Sequence, residues 1–389
     1  MKKYDVIIIG SGFAGSVMAE RFASTGKKVL VLEKRAHIAG NMYDYQDEKG
    51  VRVHKYGPHI FHTNRLEVIE YLSKFTEWYP YQHRVLGQVN DKYVCIPFNL
   101  TSIEESFDSD VSERLKNRLI ETYGLEKKVT ILELRKNEDP EIRQLADFIF
   151  DKVFKDYTMK QWGLTVDEID PLVTNRVPVH ISRDDRYFQD KYQQMPKEGY
   201  TKIFEKMLNH ENIEVQINVD AKDFVRIDLD QNKVHFMGKE FDGTVIYTGA
   251  VDELLDYKFG ILPYRSLDFD LQSFDNRTYQ AVGTVNYPTP AEQHGFTRIT
   301  EYKHMMDEKP SGTTVAIEYS LPYNKDASTG NIPYYPIFTE PNQALYDKYV
   351  EALKPLTNVV LIGRLAEYKY YNMDAIIYRS LSVFENLNK

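Results

Sequence analysis

The fold of this chain is decided by the stretch Val6-Ile7-Ile8-Ile9-Gly10-Ser11-Gly12-Phe13-Ala14-Gly15. Val6–Ile9 is a β-branched run of the kind found in strands that are buried on both faces. The glycine pattern opens a helical stretch that reaches about Ser24, and a second strand, Val29 to Leu32, follows Gly26. A strand, a glycine turn, a helix and a second strand within about thirty residues predict a dinucleotide-binding Rossmann unit.

Each glycine of this turn has a physical task, and so does the acid that follows it. Gly10 permits the tight turn, Gly12 lets the backbone approach a pyrophosphate, and Gly15 lets the helix pack closely on the strand. The pyrophosphate is then expected on free amide groups at the helix N-terminus. Glu33, at the end of the second strand, is placed to accept hydrogen bonds from a ribose. The alternative is a glycine turn in some other α/β fold.

The segment after the second strand favours FAD over NAD. Gly40-Asn41 comes shortly after Glu33-Lys34, where FAD folds of this type carry the chain along the cofactor towards the flavin. An NAD domain ordinarily proceeds to another regular strand–helix–strand unit. This preference rests on resemblance to such folds, and it predicts a flavoprotein.

Length, charge and cysteine content exclude several classes of protein. At 389 residues, two or three domains are expected. A net charge of −9 argues against general nucleic-acid binding, which needs a dominant basic surface. The single cysteine, Cys95, excludes an internal disulfide and fits a reducing compartment. Since the sequence also shows no signal-peptide pattern and no apolar run long enough for a bilayer, we expect a cytoplasmic protein without a membrane span.

Periodicity predicts two further modules. From Asp108 to Trp162 the pattern is helical, and Asp139 followed by Pro140 is typical of a helix start. Between about Thr278 and Ser320 polar and apolar residues alternate, as in antiparallel sheet. The short apolar run Thr244–Gly249 and the last stretch of the chain are expected to return to the first sheet.

We therefore predict an α/β fold in which a discontinuous FAD-binding Rossmann-like domain carries an inserted helical module and an antiparallel β-sheet module. The predicted boundaries are 1–85, 200–250 and 335–389 for the Rossmann-like domain, 103–184 for a helical domain with a mobile substrate loop, and 86–102, 185–199 and 251–334 for an antiparallel-sheet substrate domain.

Two segments rich in aromatic residues and histidine are candidates for a ligand pocket. Tyr56–Thr63 holds His59 and His62, but no other compact cluster of ligand residues supports a metal site, and none is predicted. A flavin-facing loop with His62 near the isoalloxazine is the better interpretation, although a structural turn accounts equally well for His59. Tyr157–Gly163 contains Trp162 and is expected to close a helix and line a pocket, or to supply core aromatic residues at a domain seam.

In its order of motifs the chain resembles the prokaryotic UDP-galactopyranose mutases, nearly from end to end. The segments that carry the resemblance are the FAD fingerprint, Gly57–Thr63, Tyr157–Gly163, Arg176–Pro178, Tyr187-Phe188, Met195-Pro196, Gly199–Thr201, Arg298 before Glu301–His304, Pro333–Pro336, and Gly363–Ala366 through Asp374. Together and in order, these segments are highly specific.

The resemblance implies that UDP-galactopyranose and UDP-galactofuranose are interconverted on reduced FAD without net redox change. In that family, flavin N5 attacks the anomeric carbon and displaces UDP. The sugar ring then opens on the flavin and recloses through its 4-hydroxyl, and UDP recaptures the sugar. A homodimer that supplies galactofuranose for cell-surface polysaccharide is expected at the level of the family.

The resemblance also assigns roles to single residues. Arg176 and Arg298 would grip the diphosphate, because a guanidinium fork matches phosphate oxygens. Arg364 would stabilise negative charge on the reduced flavin, and His62 is the fourth candidate catalytic residue. The residues expected to bind substrate are His83, Tyr157, Thr158, Trp162, Arg176, Tyr187, Asn286, Arg298, Tyr335 and Tyr370. The residues expected to bind FAD are Gly10, Gly12, Phe13, Ala14, Gly15, Glu33, Lys34, Gly40, Asn41, His59, Ile60, Val219, Gly249, Arg364, Tyr370, Asn372 and Met373.

Two positions depart from the family pattern. The chain has His83-Arg84 where the family often has Asn before Arg, which puts uridine recognition there in doubt. It has Asn372 where the family often has Asp, which changes the charge near flavin and diphosphate. We expect altered affinity rather than lost activity, because the nucleophile is the flavin.

The segment between Gly163 and Pro178 is expected to form a lid. It lacks a strong periodic pattern and carries Arg176, which needs an anionic partner. The substrate diphosphate could supply that partner and draw the lid shut. The alternative is a fixed loop in which Arg176 pairs with a carboxylate such as Asp167.

Two rival functions stay open at this point. A flavin amine oxidase or related oxidase predicts an apolar or amine-binding cavity and gives no reason for two arginines at a diphosphate. A non-catalytic protein that binds FAD or a nucleotide sugar predicts UDP binding without isomer exchange. For single residues, Arg298 as a charge on the sheet surface and Tyr370 as a core ring are the structural alternatives.

Overall fold

A computed structural model describes residues 3–163, 165, 178–275 and 278–388. Its strands are β1 Val6–Ile9, β2 Val29–Glu33, β3 Asp44–Gln46, β4 Arg52–His54, β5 Phe61–Thr63, β6 Trp78–Pro80, β7 Val85–Val89, β8 Lys92–Ile96, β9 Lys128–Val129, β10 Val179–His180, β11 Tyr192–Pro196, β12 Ile213–Ile217, β13 Val225–Asp228, β14 Lys233–Phe236, β15 Lys239–Glu240, β16 Thr244–Tyr247, β17 Tyr264–Asp275, β18 Thr284–Asn286, β19 Arg298–Glu301, β20 Gly312–Pro322, β21 Tyr335–Pro336 and β22 Val359–Leu361. Its α-helices are α1 Phe13–Ser24, α2 Leu66–Leu72, α3 Leu100–Ser106, α4 Ser109–Tyr123, α5 Ile131–Arg135, α6 Pro140–Ile149, α7 Lys155–Trp162, α8 Tyr200–Leu208, α9 Val251–Leu254, α10 Glu340–Leu353 and α11 Met373–Leu387.

Five parallel strands form the sheet of the predicted Rossmann-like domain. Their order is β12-β2-β1-β16-β22, so segments from three separated parts of the chain meet in one sheet. Val6 of β1 lies between Val29 of β2 and Thr244 of β16. The predicted return of the chain to the first sheet is confirmed, because β16 and β22 lie in the same sheet as β1.

The β-branched run of β1 is buried on both faces because cores lie on both sides of this sheet. Val6 and Ile8 pack in the core that contains α1 residues such as Met18. Ile7 points to the opposite core, which contains Tyr349 of α10. The glycine turn after β1 is thereby held between two packed layers.

The helical module follows the predicted signals at its start. Asp139 caps α6, with Pro140 at the first position, and its side chain accepts a hydrogen bond from the Glu141 amide. Ile142 and Ile149 of α6 are fully buried. The periodicity did not predict the π-helical segment Phe150–Phe154, which lies between α6 and α7.

The second large sheet has seven strands in the order β21-β17-β20-β19-β18-β7-β8. It differs from the prediction in three ways. β18 pairs with β7 in parallel, so the sheet is not wholly antiparallel. β11, inside the 185–199 segment assigned to this sheet, pairs instead with β5 and β6. β21, assigned to the Rossmann-like domain, pairs with β17 of the seven-stranded sheet. Sequence alternation identifies strands but does not identify their partners.

No helix within the described ranges is long and apolar enough to cross a membrane.

Candidate active site

The glycine turn leaves space over one glycine. A Cβ at Gly15 would lie 2.0 Å from the Gly10 carbonyl oxygen, and a Cβ at Gly12 would have no heavy atom within 4 Å. The backbone of Gly10 has a φ of 99°, which favours glycine. Gly12 immediately precedes α1, whose first residues are Phe13 and Ala14. The turn therefore offers free amides and open space where a pyrophosphate is expected.

Gly40 and Gly249, which are also assigned to FAD, come together around this turn with Gly363 of the last motif. A Cβ at Gly40 would lie 3.0 Å from the Cα of Gly12, and one at Gly363 would lie 3.5 Å from the Cβ of Ala14. Gly249 follows Thr248, whose hydroxyl donates to the Ile9 carbonyl over 2.8 Å. These close approaches form a backbone cradle, and they support the fit of a dinucleotide.

The acid after β2 is already engaged with the turn. Glu33 Oε2 accepts from the Ser11 amide at 2.9 Å and from its hydroxyl at 2.6 Å, and Oε1 accepts from the Arg35 amide at 2.9 Å. The Val219 amide donates to the Glu33 carbonyl oxygen over 3.0 Å. An ionised carboxylate has about four lone-pair sites, so Glu33 retains capacity for a ribose.

Two basic residues next to Glu33 differ in what they contact. Lys34 is expected to bind FAD, but its ammonium lies 2.9 Å from Glu253 and 3.3 Å from Asp220. In this structure its positive charge is paired with these two protein carboxylates. Arg35, which sequence reasoning missed, donates to Asn41 over 2.9 Å and stacks over the Tyr56 ring. Among the described residues its buried Nη1 has no hydrogen-bond partner, and an anionic or polar cofactor group would satisfy it.

A cavity of about 640 Å³ is lined by β5 and the loop before it, by the π-helical segment and α7, by the seven-stranded sheet, and by the segment 364–373. It brings together the predicted substrate and catalytic residues that the structure describes, which are His62, His83, Tyr157, Thr158, Trp162, Tyr187, Asn286, Arg298, Tyr335, Arg364 and Tyr370. Of the residues assigned to FAD it also includes Asn41, His59, Ile60, Asn372 and Met373. Arg176 and the predicted lid around it lie outside the described residues.

Arg298 is one of two arginines that the described residues contribute to the cavity wall. Its Nε and Nη2 lie 2.8 Å and 2.7 Å from Glu318 Oε2, and Glu318 is directly opposite in the neighbouring strand. Burial acts to lower the pKa of Arg298, but the Glu318 carboxylate outweighs it and raises that pKa. The Glu318 side chain is only 2% exposed. Arg298 is thus a fixed, permanently charged group rather than an ordinary charge on the sheet surface.

Arg364 has a different environment. Its guanidinium donates to the Tyr371 carbonyl oxygen over 2.7 Å and to the Tyr334 carbonyl oxygen over 3.2 Å. It also lies over the rings of Tyr335 and Tyr370, which are stacked on each other. Tyr370 is 38% exposed, so it is not a core ring. Because carbonyl oxygens carry no net charge, Arg364 keeps its full positive charge for an anion in the cavity.

Three histidines line the cavity, each in its own environment. His62 bonds through Nδ1 to Asp190 over 2.9 Å. Burial, helped by the nearby charge of Arg298, lowers the pKa of His83 to about 3. Burial, aided by His54, holds the pKa of His59 well below its ordinary value. His83 and His59 are therefore neutral at pH 7.

Helix α7 supplies Tyr157, Thr158 and Trp162 and is fastened at both sides. Lys160 donates to the carbonyl oxygens of residues 287, 294 and 296 at 2.8 to 3.0 Å, which fixes the helix to the loop after β18. At the helix end, Arg265 donates to the carbonyl oxygens of residues 160 and 161. These bonds hold the helix in place as one wall of the cavity. The position of Tyr157 and Trp162 in that wall agrees with the prediction that this segment lines a pocket.

Sequence reasoning missed several residues of this site. They are Arg35, Gln161, Phe188, Asp190 and Glu318, all within or next to the cavity wall. Phe188 could have been found, because it stands in the Tyr187-Phe188 segment that carries the family resemblance. The carboxylates have none, because they act through partners that are distant in the sequence. Within the described ranges no group of three or more His, Cys, Asp or Glu is placed to hold a metal ion.

Comparison with known proteins decides the family. Residues 152–370 match the family model described as UDP-galactopyranose mutase. A UDP-galactopyranose mutase of Mycoplasma genitalium is 37% identical over 393 residues, which cover 100% of this chain and 95% of the relative. The chain belongs to the UDP-galactopyranose mutase family. Residues 8–75 match the NAD(P)-binding Rossmann-like domain, which confirms the fold class.

Two further relatives bear on this family assignment. A dTDP-fucopyranose mutase of Escherichia coli is 35% identical over 374 residues, which cover 96% of this chain and 95% of that protein. A crystal structure of reduced UDP-galactopyranose mutase has a TM-score of 0.68 and 17% identity, and it covers 99% of this chain and 96% of its own. At that identity it shows the fold alone. Membership of the mutase family confirms the predicted resemblance and makes the protein an isomerase rather than an amine oxidase.

Proposed function

We propose that this protein interconverts UDP-galactopyranose and UDP-galactofuranose. The observation that carries the proposal is a single cavity in which Arg298 and Arg364 face a wall of aromatic rings next to a dinucleotide-binding turn. A diphosphate between a base and a sugar needs fixed cations and stacking surfaces together. The family model and the relatives named for this reaction support the same substrate.

The cofactor in this proposal is FAD in its reduced form. Bound in the cradle, reduced FAD would supply N5 as a nucleophile towards the anomeric carbon. The protein would contribute orientation and electrostatics. The amides before α1 would bind the pyrophosphate, and Arg35 would satisfy its buried Nη1 on a cofactor oxygen.

The cavity residues divide the rest of the work. Arg298 would hold the substrate diphosphate, with hydroxyls from Tyr187, Tyr335 and Tyr370 on the same oxygens. Tyr157 of α7 would stack on the uracil, and Thr158 and Asn286 would contact its polar edge. Asn286 Oδ1 is buried and finds no hydrogen-bond partner in the part of the chain that the structure describes, which fits a ligand donor. Arg364 would stabilise negative charge on the flavin.

The test is isomer exchange with matched nucleotide sugars. The protein is reduced with dithionite and incubated with UDP-galactofuranose, and UDP-galactopyranose is followed by chromatography. The same assay with dTDP-fucofuranose is needed, since a mutase named for that sugar is about as similar as the UDP-galactopyranose mutases. Exchange of the UDP sugar supports the proposal. Exchange of the dTDP sugar alone, or UDP binding without exchange, contradicts it.

Assembly, location and role belong to the same proposal. We infer a cytoplasmic homodimer that supplies galactofuranose for a cell-surface polysaccharide, on the strength of the family resemblance. Sedimentation of the purified protein tests the dimer, and loss of galactofuranose from surface polysaccharide after gene deletion tests the role.

A further inference from the structure

His62 is held from two sides in the cavity wall. Its Nδ1 lies 2.9 Å from Asp190 Oδ2, and its ring stacks on Phe188 with centroids 3.6 Å apart and planes 13° apart. His62 lies in β5, which pairs with β11, and β11 begins two residues after Asp190. The hydrogen bond to Asp190 and the ring stack on Phe188 together orient the imidazole.

Asp190 is itself braced by its neighbours. Its Oδ1 accepts from Asn64 Nδ2 over 2.7 Å, and Asn64 Oδ1 accepts from the Lys191 amide over 2.9 Å. Gln193 Nε2 donates to the Asp190 carbonyl oxygen over 2.9 Å. The hydrogen bond from His62 lowers the pKa of Asp190. The carboxylate is therefore ionised at pH 7 and can only accept hydrogen bonds.

An acceptor-only partner determines where the imidazole carries its hydrogen. Nδ1 must donate to Asp190, and in a neutral ring the lone pair then lies on Nε2. Among the described residues Nε2 of His62 has no hydrogen-bond partner, and His62 lines the cavity. Conversion between a pyranose and a furanose closes the ring through a different hydroxyl, so the sugar brings hydroxyl donors into the cavity.

We propose that Asp190 is a positioning residue that fixes His62 as its Nδ1–H tautomer, so that Nε2 accepts a hydrogen bond from a sugar hydroxyl and orients it for ring closure. The kinetic part of this proposal rests on the proposed function, whereas the tautomer does not. In the other tautomer His62 Nε2 would carry the hydrogen and would donate where the sugar hydroxyl needs an acceptor. The arginines and tyrosines expected to bind the substrate would be unchanged. The loss is therefore expected in kcat and not in KM.

The test combines a spectroscopic and a kinetic measurement on Asp190→Asn. In protein labelled with ¹⁵N-histidine, two-bond ¹H–¹⁵N correlations report the tautomer of each ring, and the signal lost in His62→Gln assigns His62. We expect Nδ1–H in the parent and a mixture of tautomers in Asp190→Asn. We expect kcat to fall about tenfold, the worth of one hydrogen bond in a transition state, with KM little changed.

A control and a second variant keep the test decisive. Asp184→Asn removes a carboxylate from the same loop, where Asp184 pairs with Arg186 at 2.6 Å, and it should change neither tautomer nor kcat. If Asp190→Asn fails to fold, Asp190→Glu retains an ionised acceptor and should retain the Nδ1–H tautomer. An Nε2–H ring in the parent, or parent-like tautomer and kcat in Asp190→Asn, overturns the proposal. A fixed Nδ1–H ring in a parent that does not exchange UDP-galactofuranose refutes the proposed function and leaves the positioning role standing.

Discussion

Removing Arg298 should abolish conversion, but the structure shows that Arg298→Ala alone is an ambiguous test. Arg298 is bonded to Glu318 over 2.7 to 2.8 Å, and the Glu318 side chain is 2% exposed. Truncation therefore leaves a buried carboxylate without its partner. Breaking such a pair costs about 3–5 kcal/mol of folding free energy. A loss of activity in Arg298→Ala could then reflect unfolding as well as lost substrate binding.

The double variant Arg298→Ala with Glu318→Gln separates the two effects. It removes the uncompensated charge, so most of the lost unfolding free energy should return, because a neutral amide costs far less to bury than a carboxylate. Conversion should stay lost, since the Arg298 guanidinium that would orient the diphosphate is absent in both variants. We expect at least a hundredfold loss in kcat/KM, equivalent to about 3 kcal/mol at 1.4 kcal/mol per tenfold. Flavin content should be unchanged in both variants.

Urea unfolding followed by intrinsic fluorescence gives the free energies, and chromatography of UDP-galactopyranose gives the rates. Arg226→Ala is the matched control, because Arg226 pairs with Asp228 on an exposed part of the chain. Such surface pairs contribute about 0–1 kcal/mol, so stability and rate should both stay near the parent. Near-parent turnover in the double variant would return Arg298 to a structural role. A destabilisation of Arg298→Ala no larger than that of the control would refute the buried-pair argument.

Three further predictions follow from the cradle, the cofactor and α7. Gly12→Ala should fold normally but lose flavin, because its Cβ would occupy the open space where the pyrophosphate is expected. Gly15→Ala should lower the melting temperature, because its Cβ would lie 2.0 Å from the Gly10 carbonyl oxygen. Visible absorbance measures the flavin content, and thermal melts measure the stability. The purified protein should be yellow and convert substrate only when reduced, and equal turnover with fully oxidised flavin under strict exclusion of reductant would contradict N5 as the nucleophile. Burial lowers the pKa of Lys160 to about 8 from an ordinary 10.5. Between pH 8 and pH 10.5 the unfolded chain therefore binds more protons than the folded chain, and the free energy of unfolding should rise with pH. Urea melts of Lys160→Met between these two pH values should lack this rise.

Much of the fold could be predicted because its signals are local. The β-branched run before Gly10 and the cap at Asp139 act within a few residues, and both form as expected. The pairing of β11 with β5 could not be predicted, since alternation does not identify a strand's partner. The π-helical segment at Phe150 also has no signal in helical periodicity.

The site was predictable where ligand-binding residues stand in recognisable motifs. The resemblance supplied Arg298 and Arg364, and the structure places both in one cavity. It did not supply Glu318 or Asp190, which lie 20 and 128 residues from the side chains they hold. Such partners are created by strand register, and a single sequence does not contain that register.

The charges of the cavity are divided unequally between its two described arginines. Arg298 forms an ion pair with a buried carboxylate, so its net field on an incoming diphosphate is small and its contribution is geometry. Arg364 donates only to carbonyl oxygens and lies over two aromatic rings, so its positive charge is uncompensated by these contacts. A charge that is already desolvated and fixed needs no rearrangement when an anion arrives. In a chain of net charge −9, we therefore expect that, among the described residues, Arg364 attracts an anion into this cavity and Arg298 orients it.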